Sequence, residues 1–362
     1  MRRLLLAVPI LILSCAASAS AHTVYQWGSQ AGSTPAPVAG LNEVIAIDAG
    51  NGSGYALRAS GTVWAWGTNK QGQLGNGGRT GTGPLSRVAI PNGVRIVSIG
   101  EAKNEGFAID SEGHGWVWGA NEDGSACLPS NETRVVTPVE LPVGHLASVQ
   151  GGNEHSLWVT TSGHVLVCGS NFDGVLGLGE NATEVDEPTE IPGLSGIVEV
   201  SAGVETSAAR TATGELFAWG NNRHDAVGIG GGGIVYTPQR VSIPPVKQVS
   251  TGGGGIGNGS SYAITNDNVL YAWGDNVSGQ VPNDGARFVE MPFDTGLSFV
   301  QAIAGGEDGF GLTAAGEVYA WGADGEADLG NGFEEGVFET PMKVDEGVMQ
   351  ISATAKNALD LH

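Results

Sequence analysis

Histidines and carboxylates are the residues with chemistry to offer in this 362-residue chain, and few of them fall into a working pattern. Asp324, Glu326, Asp328 and Glu335 have the 1, 3, 5, 12 spacing with which acidic oxygens wrap a calcium ion. That loop needs a glycine at its sixth position for the sharp bend, and Leu329 stands there. His145, His155 and His164 lie close in sequence, but nothing places their rings on one face, so a zinc site is not implied. The run GGGGIGNG at 252–259 has the glycines of a phosphate cradle without the following helix whose N-terminus would hold the anion. No G-x-S-x-G elbow, H-E-x-x-H pair or Walker lysine occurs, and no cofactor is called for. His22 and His362 are a speculative metal pair: two imidazoles, with a free α-amine if the mature chain begins at His22, suit copper. Frayed ends are the plain alternative.

Composition narrows the field further. The chain has 16 Lys+Arg against 38 Asp+Glu, a net charge of -22, which is the wrong sign for neutralising nucleic-acid phosphates or an anionic membrane. Glycine fills 60 positions without a collagen period, while 41% of residues are hydrophobic, enough for a core. Short β-strands and tight turns follow, so the expected class is all-β. Residues 1–21 have their own logic: Arg2-Arg3, an apolar run from Leu4 to Leu13, then Ala19-Ser20-Ala21. This is a secretory signal pattern cleaved after Ala21, too short to anchor the chain across a membrane, and it predicts a secreted or periplasmic protein. A lipid anchor at Cys15 is a lesser alternative. Cys127 and Cys168 remain, and spacing leaves open whether they are bridged or are two small buried side chains.

The elements that must position these residues come from a repeat. Trp-Gly recurs at Trp27, Trp66, Trp118, Trp219, Trp273 and Trp321, with Cys168-Gly169 in the missing slot, at intervals of roughly fifty residues, a spacing typical of repeat architectures. Apolar residues alternate with period two before each pair, as in Val63, Ala65 against Trp64, Trp66, so the segments are strands. Loops of the form N-x-x-G-x-L-G follow, clearest at 69–75 and 171–177. The ends complete each other: the last residues have early strands without Trp-Gly, and HTVYQWG has Trp-Gly alone. Aligning Ala358-Leu359 on Ala56-Leu57 sets His362 at the Ser60 position and His22 at the Gly61 position, so the termini meet in one hairpin and close a ring.

Six Trp-Gly strands and one Cys-Gly strand, their N-x-x-G-x-L-G loops and a split last unit resemble the RCC1-type (regulator of chromosome condensation) repeat family. The resemblance implies a single seven-bladed β-propeller over residues 22–362, its last blade closed by N- and C-terminal strands. It says little about function, because relatives range from guanine-nucleotide exchange factors to secreted enzyme-inhibitory propellers.

The recurring Trp27, Trp66, Trp118, Cys168, Trp219, Trp273 and Trp321 are expected to be core, filling space between blades. Trp158 breaks the pattern by standing where Ala56 stands, as a local overfill or a surface anchor. The residue before the Ala-Leu strand varies between units, as Ser53, Glu105, His155, Thr206, Gly259 and Asp308, and this ring is the candidate binding face. The reading that fits best is a secreted, non-enzymatic scaffold that binds another protein, one with a basic face, through loops on one rim. The resemblance offers nucleotide exchange as an alternative, which a signal peptide disfavours because small G proteins are cytosolic. A hydrolase or lyase built from Glu105, His155 and Asp308 is the other.

Overall fold

The computed structural model describes residues 22–29, 31–129, 131–252, 259–282, 285–325, 327–354 and 357–362. The expected leader, with Cys15, lies outside them, as do 253–258 and Glu326. Seven four-stranded antiparallel sheets account for the fold, and among the described residues there is no helix. In blade one, Val44–Ala49, Ser53–Arg58, Val63–Thr68 and Thr82–Arg87 follow one another outward from the axis. The first strands of successive blades touch all the way round, and Gln350–Thr354 of blade seven touches Val44–Ala49 of blade one. The ring is therefore closed around a central channel of about 750 Å³.

Trp-Gly is the signature of this fold for two separate reasons. The glycine sits where the chain needs a left-handed φ: Gly67 has φ 94°, and a Cβ there would lie 2.3 Å from the Gly52 carbonyl oxygen. That carbonyl accepts the Thr68 amide at 2.8 Å, pinning the third strand to the loop between the first two. The tryptophan welds neighbouring blades. Trp118 Nε1 donates to the Gln73 carbonyl (2.6 Å), Trp219 to Val175 (2.7 Å), Trp273 to Ala226 (2.9 Å), Trp321 to Gln280 (2.9 Å) and Trp27 to Asp328 (2.8 Å), each in the loop of the preceding blade. Trp66, which follows the Trp27 unit, donates instead to Gln26 Oε1 (2.7 Å). All six are buried. The loop asparagine is structural too, since Asn69 Oδ1 accepts the Leu74 amide and Asn171 Oδ1 the Leu176 amide.

Cys168 explains itself once paired. Gly75, Gly177, Gly228 and Gly330 lie against the tryptophan of the next blade, and a Cβ at Gly177 would meet Trp219 Nε1 at 2.9 Å. Cys127 occupies the Gly75 position with the same φ of 57°, and it forms a disulfide with Cys168, Cα atoms 5.3 Å apart. A glycine–tryptophan contact between blades has become a covalent bond. Ser156 Oγ supplies the lost indole donor, bonding the Ser125 carbonyl at 2.7 Å, and Trp158 Nε1 in turn lies 3.0 Å from Ser156 Oγ. Trp158 is thus wholly buried, edge-on to Phe107, and fills core volume beside the smaller cysteine.

The sheets also correct two sequence alignments. In the last blade Ala358 pairs with Trp27, as Gly54 pairs with Trp66, so the closing strand sits two residues from the expected register. His362 takes the place of Arg58, and the turn residues 59 and 60 have no counterpart; the junction is held by His362 N to Thr23 O at 3.0 Å and Thr23 N to His362 O at 3.2 Å. A slip of two preserves which side chains face the core, so alternation could not detect it. In blade five Ser260, not Gly259, pairs with the Trp-Gly glycine Gly274; the glycine run had made that alignment indeterminate. Pro84, Pro138, Pro188, Pro238 and Pro341 lie within the outermost strands, where the ladder tolerates a missing amide.

Candidate functional site

The loops between first and second strands and those after Trp-Gly emerge on the same end of the ring, because each Trp-Gly glycine pairs with the first residue of a second strand. That first residue is the variable ring of the sequence, now complete as Ser53, Glu105, His155, Thr206, Ser260, Asp308 and Asn357. Every member is buried, 0 to 3% exposed, so the ring lies beneath the loops and offers no side chain directly to a partner.

Burial dominates its electrostatics. His155 Nε2 lies 2.9 Å from Ser207 Oγ, whose own proton is committed to the Val175 carbonyl at 2.8 Å, so Nε2 is the donor. Nδ1 then carries the lone pair and has no partner, and burial depresses the imidazole to about 4. Thr206 Oγ1 is likewise buried without a partner. Glu105 accepts the Asn104 amide and the Ser125 hydroxyl, both at 3.0 Å, yet burial still raises its carboxyl to about 7. Asp308 is raised by burial and by the nearby Asp328 and Asp324 carboxylates, with its Oδ1 accepting the Gly306 amide at 2.9 Å. Glu105, His155 and Asp308 each bond within separate networks and none bonds another, so no acid–base pair is assembled.

Two acids that the ring did not include, Asp48 and Glu101, line the channel. Asp48, bonded by Ser352 Oγ at 3.0 Å, is raised to about 6 by burial. Glu101 is raised well above its usual range by burial first, then by Asp48 and Glu105. Both were legible as outliers: Glu101 stands where the other first strands carry Ala49, Ala202 or Ala304. Around them the loops are acidic. Among the described residues of the inner loops and first turns, Glu122, Asp123, Glu154, Glu205, Asp225 and Glu307 are exposed or half-exposed, against Lys70, Lys103 and Arg223.

The opposite mouth differs. In five blades the first strand begins with a bulge; Ile45, Val97 and Val198 at that position, and Met349 at the matching place in blade seven, are 42 to 52% exposed, and Val97 and Val198 line the channel. Of the calcium spacing, Asp324 Oδ1 lies 3.5 Å from the Leu329 amide in the asparagine's structural role, Asp328 is buried, Glu335 is exposed and Glu326 lies outside the described residues. His145 and His164 sit on turns at the far end from His155, which separates the three.

A closed seven-bladed propeller with Trp-Gly welds and acidic loops over a polar channel is a scaffold class, and comparison gives the repeat its name. The family model described as "Regulator of chromosome condensation (RCC1) repeat" matches residues 60–100, 162–210 and 213–255, and a second of the same description matches 44–73 and 197–225. The chain is an RCC1-repeat propeller. It is 30% identical over 295 residues to the E3 ubiquitin-protein ligase HERC2 of Homo sapiens, covering 77% of this chain and only 6% of that protein's length. It is 28% identical over 335 residues to the Ultraviolet-B receptor UVR8 of Arabidopsis thaliana, covering 88% and 74%. The solved structure of Kap60 bound to yeast RCC1 (Prp20) matches with a TM-score of 0.83 and 19% identity over 94% of this chain and 88% of that one, a likeness of fold.

Proposed function

We propose that this chain is an exported, non-enzymatic binding propeller whose acidic loop face engages a partner protein with a basic surface. The observation that carries it is the acidity of the exposed loops over the channel, Glu122, Asp123, Glu154, Glu205, Asp225 and Glu307 against Lys70, Lys103 and Arg223, on a closed ring whose Glu105, His155 and Asp308 are buried in separate networks. The leader pattern ending at Ala21 supports export, and so does the Cys127–Cys168 bridge, a bond that persists in oxidising compartments. Yeast RCC1, which shares the fold, is a protein solved bound to another protein, Kap60.

Two measurements test it. Immobilised chain is mixed with periplasmic, surface and culture-supernatant proteins; one saturable partner, released as salt rises, is the expected outcome, and retention indifferent to salt overturns the charge argument. N-terminal sequencing of the protein recovered from outside the cytoplasm should begin at His22; a chain found only in the cytoplasm with Met1 intact contradicts export.

A further inference from the structure

At the seam where the chain's ends meet, Asp360 stands in a core position. Its equivalents in the other six blades are Ala56, Ala108, Trp158, Ala209, Ala263 and Gly311. The Asp360 side chain is 0% exposed, and neither of its carboxylate oxygens accepts a hydrogen bond of ordinary geometry. A buried carboxylate without well-placed donors is costly unless it keeps a proton or meets a cation. It is aimed at His362, whose Nε2 lies 3.4 Å from Asp360 Oδ1 and 3.3 Å from Asp345 Oδ2. One ligand atom from each of Asp345, Asp360 and His362 lies within 4.8 Å of the others.

We propose that Asp345, Asp360 and His362 form a divalent-cation site that ties blade six to the chain's last strand beside the propeller's seam. Two carboxylates and one imidazole carry the charge and donor set of a borderline first-row ion such as Zn²⁺, with remaining positions left to water. Asp345 and His362 are partly exposed, 19 and 25%, which gives the ion a way in, while Asp360 closes the site from the core side. Asp345 belongs to the outermost strand of blade six, whereas Asp360 and His362 belong to the closing hairpin of blade seven. One ion would therefore tie the outermost strand of blade six to the strand that ends the chain, beside the seam. The His362 ring is held in place by Tyr25, ring centroids 4.5 Å apart. His22 takes a different part: its Nδ1 lies 3.2 Å from the His362 carbonyl oxygen and not in the cluster.

The test is titration of chelator-stripped protein with ZnSO₄ in a calorimeter, with MgCl₂ and CaCl₂ as comparison, and thermal melts of the same samples. The expected result is one Zn²⁺ per chain, far tighter than Mg²⁺ or Ca²⁺, with a higher melting temperature in its presence. His362→Ala and Asp360→Asn should each weaken Zn²⁺ at least tenfold and abolish the melting shift. Asp360→Asn also removes the buried charge, so without metal it should melt no lower than the parent, which shows that it folds. Absence of stoichiometric Zn²⁺ binding, or binding unchanged in both variants, overturns the site. The ion's visible-spectrum counterpart Co²⁺ gives a second readout: d–d bands that His362→Ala must alter.

Discussion

Buried titratable residues make the ring beneath the loops sensitive to pH, in opposite directions. Glu105 is raised from 4.5 to about 7, so between those values the folded state keeps a proton that the unfolded chain has released, and stability falls as pH rises through that window. Asp48, raised from 3.8 to about 6, acts the same way. His155 is depressed from 6.5 to about 4, so its contribution is lost as pH falls through that range. Glu105→Gln should therefore gain up to about 3 kcal/mol over the parent at pH 8 and nothing at pH 4, read from urea midpoints at both pH values. A gain equal at both would show that the effect is not ionisation. The cysteine pair belongs to this scale as well. Closing a loop of sequence separation 41 is worth about 4 kcal/mol in the chain-entropy account, and the paired Cys127→Ser, Cys168→Ser variant should lose up to that amount without changing fold. Sequence left the bridge open because it shows only two cysteines in neighbouring units; that one replaces the tryptophan and the other the glycine it touches is visible only from the contact.

Elements are joined by two kinds of clasp, and the ring uses them unevenly. Gln301 donates through Nε2 to the Ile351 carbonyl (2.8 Å) and accepts the Ile351 amide (3.0 Å), fastening blade six to blade seven; Gln248 and Gln350 do the same for their neighbours. Blades two and three carry Ser98 and Ser148 at that position, too short to reach across. Gln301→Ala should cost about 1–2 kcal/mol in denaturant unfolding, whereas Ser148→Ala at the same position should stay within about 0.5 kcal/mol. Equal losses would show that the clasp contributes nothing. The strands, their alternation and the seven-fold count were legible because Trp-Gly repeats with a fixed spacing. The two-residue slip at the seam and the one-residue slip at Ser260 were not, since a strand shifted by two presents the same faces and a glycine run has no side chains to align.

At the scale of the molecule, function rests on what each end of the channel presents. The ring of variable residues was recognised in sequence, but its burial was not, because a strand's first residue reads the same whether a loop covers it or not. What faces outward instead is the acidic loop layer at one end and the apolar mouth at the other, with Ile45, Val97, Val198 and Met349. These make competing demands on a partner, a basic surface against an apolar one, and they can be separated experimentally. The decisive measurement is the affinity of the captured partner for two variants at equal salt: Glu122→Lys, Asp123→Lys, Glu154→Lys on the loop face, and Val97→Ser, Val198→Ser at the opposite mouth. Acidic-face binding predicts that the charge reversal weakens affinity at least tenfold and flattens its salt dependence while the mouth variant binds as the parent does. Retained affinity in the charge-reversed protein, with loss in the mouth variant, would contradict it and move the binding site to the other end of the ring.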